Sequence, residues 1–168
     1  MLDSIALIVF PLLMIFAAFS DLFTMTIPNR VSLLLIGAYF VLAFHLRVPL
    51  ETIGWHASAG LAMLVVTFAM YSFAWIGGGD AKLAAATALW LGWGLLAQYG
   101  MAASLIGGAL TLAILELRRH DLPQRLLSVD FVAKLADKGG GVPYGIALAC
   151  AGLFVYPQSI LWLRLAGA

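Results

Sequence analysis

Charge is scarce in this chain of 168 residues. Eight Asp and Glu and nine Lys and Arg make up 10% of it, against 64% hydrophobic residues. A soluble domain carries about 25% charged residues, so this composition, with a mean hydropathy of +1.04, excludes one. Cysteine is scarcer still: Cys150 stands alone, which rules out an intramolecular disulfide and a CxxC pair. It reads as a small buried residue in an apolar run. The three histidines, His45, His56 and His120, form no HExxH, so no zinc-protease motif is present. His56 and Ser58 stand two residues apart and face different sides of a helix, and no GxSxG loop accompanies them. Strict apolar–polar alternation is missing too, which speaks against a membrane barrel.

What is present is a series of long apolar runs. About 20 apolar residues cross a bilayer, and only helices or closed barrels satisfy the backbone there. The expected fold is therefore all-α: one polytopic domain over residues 1–168, a bundle of six transmembrane helices. The expected spans are Leu2–Ser20, Pro28–His45, Ile53–Ile76, Ala81–Gln98, Gly100–Leu117 and Pro143–Leu163. The first has Asp3 where a signal peptide has a basic segment, and reads as a retained span. Gly54, Ser58 and Ala62, and again Gly100, Ser104 and Gly108, recur every four residues, as on faces where helices approach closely.

The loops after spans one, three and five hold Arg30, Lys82, Arg118, Arg119, Arg125, Lys134 and Lys138, whereas Arg47 and Arg164 fall on the other side. This bias places those loops in the cytoplasm and both termini outside. The fifth loop repeats Leu122, Leu126, Val129, Val132 and Ala136 at steps of three or four. That pattern suggests an interfacial amphipathic helix, with a solvated connector as the alternative. Gly139-Gly140-Gly141 then reads as a hinge.

The same orientation brings two acids to one face. Asp21 closes span one and Asp80 opens span four, each flush against an apolar run. Two carboxyls sharing a small site cannot both ionise, so one proton is held between them. The charged member can then activate water and the protonated one can donate to a peptide carbonyl. The alternative is that both are helix-end residues, with Gly77, Gly78 and Gly79 ending span three and Asp80 capping span four. In the catalytic reading the glycines free the backbone angles and leave room for an extended peptide. Lys82 either snorkels to the headgroups or, like Arg30, acts on an aspartate or meets an acidic residue of the substrate.

Gly77-Gly78-Gly79-Asp80-Ala81-Lys82-Leu83 resembles the GxGD motif of membrane aspartic proteases, in the form found in type IV prepilin peptidases. Asp21 followed by Ile27-Pro28-Asn29 resembles the family's first catalytic aspartate and its IPN. Val142-Pro143-Tyr144-Gly145 resembles a third family stretch. The resemblance implies Asp21 and Asp80 as the catalytic pair, and Gly77, Gly78, Gly79, Lys82, Pro28 and Asn29 as substrate-binding positions. It implies removal of the short basic leader of prepilins and pseudopilins at the cytoplasmic face of a bacterial inner membrane. The bilayer is then the other partner, with neither a cofactor nor nucleic acid involved. The cysteine-bearing insertion of bifunctional, N-methylating members is missing, so the chain is similar to peptidase-only members serving Flp-type (tight adherence) pili. A non-catalytic scaffold of pilus assembly, or a GxGD protease with other membrane substrates, are the alternatives.

Overall fold

The computed structural model describes residues 2–120 and 123–167, with side chains from residue 6 onward. Helix accounts for 82% of it, and no strand occurs among the described residues. The long elements are α1 (Leu2–Thr24), α2 (Asn29–His45), α3 (Leu50–Ser72), α4 (Gly78–Leu91) and α5 (Trp93–Leu117). Two short helices follow, α6 (Gln124–Leu127) and α7 (Asp130–Ala136), then α8 (Tyr144–Val155), a 3-10 turn at Tyr156–Gln158, and α9 (Ile160–Ala166). Proline punctuates this order: Pro28, Pro49, Pro123 and Pro143 immediately precede α2, α3, α6 and α8. A proline fixes φ and has no N–H to continue a preceding helix.

Three helices are long and apolar enough to cross a membrane: Ala6–Thr24, Leu50–Ser72 and Trp93–Leu117. A fourth crossing arises if α8 and α9, bent by 53°, are taken together. The bend lies at Ser159, whose hydroxyl accepts the Trp162 N–H and caps α9. With these helices the chain is a membrane protein.

The centre of the bundle is α4. Every residue from Leu83 to Leu91 is buried, as is Ala81. A helix apolar on all sides belongs inside a protein, and its small residues let neighbours come close. Against Ala85 and Leu89 packs Gly60 of α3, where an added Cβ would lie 3.1 Å from Leu89 Cβ. Trp90 donates its indole N–H to the Leu35 carbonyl of α2 at 2.9 Å and packs among Phe10, Tyr39 and Tyr156.

The expected boundary between the fourth and fifth spans, at Tyr99-Gly100, is corrected by this arrangement. Both residues lie inside α5, and the break is at Gly92. Its φ of +67° is one that side chains disfavour, and the His56 ring occupies the place a Cβ would take. His56 Nδ1 also meets the Leu89 carbonyl at 3.0 Å, while Ser58 accepts from Trp93 Nε1. The two residues thus serve separate packing contacts.

Other expectations shift by a residue or a face. Gly54, Gly100 and Gly108 meet nothing within 4 Å, whereas Gly60 and Gly107 make the close approaches, Gly107 against the Tyr144 ring. Cys150 is exposed on the surface of α8 rather than buried. The fifth loop holds two short helices in place of one amphipathic helix, with Leu126 and Val129 exposed. Asp121 and Leu122 lie outside the described residues. Nor are Gly139 to Gly141 a free hinge. Arg118 donates to the Leu135 and Gly141 carbonyls, both at 2.8 Å, and ties the loop down. Phe131 of α7 packs edge-on against Phe23 at the end of α1.

The Gly107 contact is directly testable by thermal unfolding in detergent. Gly107→Ala is expected to destabilise the protein by about 1–3 kcal/mol through overpacking. Gly108→Ala, with open space and a helical backbone, is expected to stabilise it by about 0.5–1 kcal/mol.

Candidate active site

Asp21 and Asp80 come from opposite directions onto the same end of the bundle. Asp21 sits in the last turn of α1 and is 5% exposed. Past it the chain turns sharply, held by the Ser20 and Thr24 hydroxyls, which donate to the Thr26 and Ser20 carbonyls at 2.9 and 2.7 Å. That turn delivers Ile27 into the bundle and starts α2. Asp21 Oδ2 accepts the Gly145 N–H, from the first turn of α8, at 2.7 Å. One hydrogen bond therefore joins the end of the first helix to the start of the eighth.

Asp80 lies in the first turn of α4. It is not the N-cap that the alternative reading made it: the N-cap is Gly77, and Asp80 Oδ2 reaches back to accept the Gly77 N–H at 3.2 Å. This is the carboxylate half of a capping box, and glycine has no side chain to form the other half. The turns that carry the two acids meet at one residue. Ile27 lies between their glycines, against both Gly79 and Gly145.

The glycines act through space, not through unusual angles. Gly77 has φ −72°, and neither Gly78 nor Gly79 has a positive φ. A Cβ would stand 2.9 Å from Asp80 Oδ2 at Gly77, 3.3 Å from the Tyr71 ring at Gly78 and 3.1 Å from Ile27 at Gly79. The left-handed residue of this linker is instead Ala74, at φ +56°. Such backbone strain in a non-glycine residue is held only where the surroundings fix it.

A cavity of about 1010 Å³ opens beside Asp80. Tyr71 of α3 and Trp75 and Gly77 of the α3–α4 connection form one wall, and Thr111, Val142 and Tyr144 another. Asp80 lines this space and Asp21 does not. The Tyr144 hydroxyl donates to the Ala103 carbonyl at 3.2 Å, which fixes the ring at the edge of the cavity.

The remaining expected site residues lie apart from the cavity. Pro28 precedes α2 as its N-cap. Asn29 accepts from the Lys82 ammonium, Oδ1 to Nζ, at 2.8 Å. Lys82 thus faces α2, on the other side of α4 from the cavity. Gly145 owes its place in the site to a contact 124 residues away in sequence, and the Asn29–Lys82 pair joins two motifs that are 53 residues apart. Neither contact has a signature in local spacing. Among the described residues no group of three or more His, Cys, Asp and Glu could hold a metal ion.

Compared with known families, residues 8–112 match the type IV leader peptidase family. The chain belongs to that family. The matched stretch contains Asp21, Ile27-Pro28-Asn29 and Gly77 to Lys82, and ends before Gly145. The family assignment makes the chain a peptidase of the leader-peptidase type and a multi-pass membrane protein. No curated protein and no solved structure matches it.

The candidate site can be tested through its least obvious member. In Gly145→Ala the new Cβ would lie 2.8 Å from Asp21 Oδ2 and displace the carboxylate from its N–H. Leader cleavage is expected to fall by about tenfold or more, the equivalent of one lost hydrogen bond to a charged group. Gly139→Ala, whose Cβ would come no closer than 3.8 Å to any group, is expected to cleave normally.

Proposed function

We propose that the protein is an aspartic-type endopeptidase that removes the basic leader of Flp-like type IV prepilins and pseudopilins, with Asp21 and Asp80 as its catalytic pair. The observation that carries this reading is Asp80 on the wall of a roomy cavity, with Asp21 brought to the same end of the bundle beside Gly145 and Ile27. Two carboxyls so placed divide their roles. The ionised one takes a proton from water as the oxygen attacks the scissile carbonyl carbon. The protonated one gives its proton to the carbonyl oxygen. As the tetrahedral intermediate collapses, the proton taken from water passes to the leaving nitrogen, a gem-diol hydroxyl returns a proton to the other carboxylate, and the C–N bond breaks to release the leader's carboxyl group and the new amine. Neither a cofactor nor a metal enters these steps.

The exposed backbone at Gly77 is where an extended substrate strand would lie, and Tyr71, Trp75 and Tyr144 would flank it. Asp21, now buried, has to be reached by a small opening between α1 and α8 when substrate enters. In the membrane we read α1, α2, α3, α4, α5 and the α8–α9 pair as six crossing segments of one domain over residues 1–168. At about 25 and 21 Å, α2 and α4 are shorter than the roughly 30 Å hydrocarbon core; α4 is sheltered by its neighbours. The Lys and Arg bias orients the acids toward the cytoplasm of the inner membrane, with both termini periplasmic.

One observation favours a second reading. Both carboxylates already accept backbone N–H groups, from Gly145 and Gly77, as purely structural clasps in a non-catalytic assembly scaffold would. Purified wild type, Asp21→Asn and Asp80→Asn, offered a prepilin with a glycine-ended basic leader, separate the two. Cleavage is expected to fall by at least about 10³-fold in each variant, the scale of losing a catalytic acid or base. Near-normal cleavage by either inserted variant would overturn the catalytic pair, no cleavage even by the wild type would favour the scaffold, and cleavage indifferent to leader sequence would favour a protease of other membrane segments.

A further inference from the structure

A second hollow, of about 480 Å³, lies on the far side of α4 from the acids, between α2, α3 and α4. Its walls are almost wholly apolar, from Leu33, Ile36 and Phe40 on α2 to Ala57, Leu61 and Leu64 on α3. Polar groups gather at one end only. There the exposed Lys82 ammonium meets Asn29, and Ser32, one turn farther in, has a hydroxyl without a hydrogen-bond partner among the described residues although it is only 5% exposed. An orphaned buried hydroxyl in an otherwise apolar wall invites an acceptor from outside.

Size decides what the groove can take. A helix about 10 Å across, rising about 1.5 Å per residue, fills roughly 120 Å³ per residue, so the groove would hold about four residues of one. Its length suits a thinner occupant. From Asn29 to Phe40 along α2 is about 16 Å, close to the roughly 15 Å depth of one leaflet's hydrocarbon. We infer that this groove is a binding site for an anionic phospholipid, with one acyl chain along α2 and the phosphate on the Lys82 ammonium beside Asn29. Ser32 lies about 4.5 Å deeper than Asn29 along the helix, at the level of the ester carbonyl, to which its hydroxyl donates. The lipid clasps the start of α2 to the first turn of α4, two residues from Asp80. The inference needs only the membrane placement and stands apart from the peptidase reading.

Phosphatidylglycerol carrying a photoactivatable group midway along one chain tests it, with the purified full-length protein in nanodiscs. Crosslinks are expected on Leu33, Ile36 and Leu61. Unlabelled phosphatidylglycerol should compete about fivefold better than phosphatidylcholine, the discrimination one basic residue near anionic headgroups supplies. That preference should vanish in Lys82→Gln, and Ala57→Phe, which fills the groove, should remove the crosslinks. Inorganic phosphate should not compete. Equal competition by the two lipids, crosslinks scattered over other faces, or displacement by phosphate alone would each overturn the inference. Should Ala57→Phe fail to fold, the wild-type crosslink map and Lys82→Gln decide the matter by themselves.

Discussion

The burial of α4 on every side is the constraint on which the rest of the structure depends. Nine consecutive residues, Leu83 to Leu91, are closed off by α2, α3 and α8, and a helix so enclosed cannot rotate or slide without opening contacts all round. Its first turn is therefore held in place. Asp80 is presented to the cavity on one side and Lys82 to the groove on the other. The small residues that make this possible, Ala84, Ala85, Ala86 and Ala88, carry no chemistry. They set how closely α3 approaches, and Gly60 completes the fit at Leu89.

The second half of the site depends on a longer-range contact. The Gly145 N–H and the Asp21 carboxylate are 124 residues apart in sequence and 2.7 Å apart in space. Glycine is required there because any side chain would press on the carboxylate. The same logic governs Gly77 and Gly79, which make room for Asp80 and Ile27. The site is thus a set of close backbone approaches around two acids. The fifth loop, pinned by Arg118 and packed through Phe131 on the end of α1, closes the same end of the bundle.

Much of this was legible in the sequence. Apolar runs announced helices, and the isolation of Asp21 and Asp80 against such runs singled them out as a pair. Helix phase was not legible. Gly107 and Gly108 are neighbours in a uniformly apolar helix, and only the position of Tyr144 decides which one packs. Cys150 faces outward for the same reason, since an apolar helix in a membrane has no polar side to mark its surface. The break at Gly92 was hidden because nothing polar accompanies it, although Leu91-Gly92-Trp93-Gly94 is where two glycines interrupt the apolar run. The proposed angular freedom of Gly77 to Gly79 gave way to steric room, because the left-handed turn falls on Ala74. The fifth loop's apolar repeat was real but short, and Asp137 and Ser128 end its two helices early.

The central claim, that Asp21 and Asp80 form one electrostatic site, is tested most directly by a double-mutant cycle on stability. Wild type, Asp21→Asn, Asp80→Asn and the double variant would be unfolded in the same detergent near pH 7.5. If the acids share a site, the effect of replacing one depends on whether the other is present. The effect of the double variant should then differ from the sum of the single effects by at least about 0.5 kcal/mol. Strict additivity, within about 0.3 kcal/mol, would mean that the two carboxylates do not feel each other, and would contradict the account.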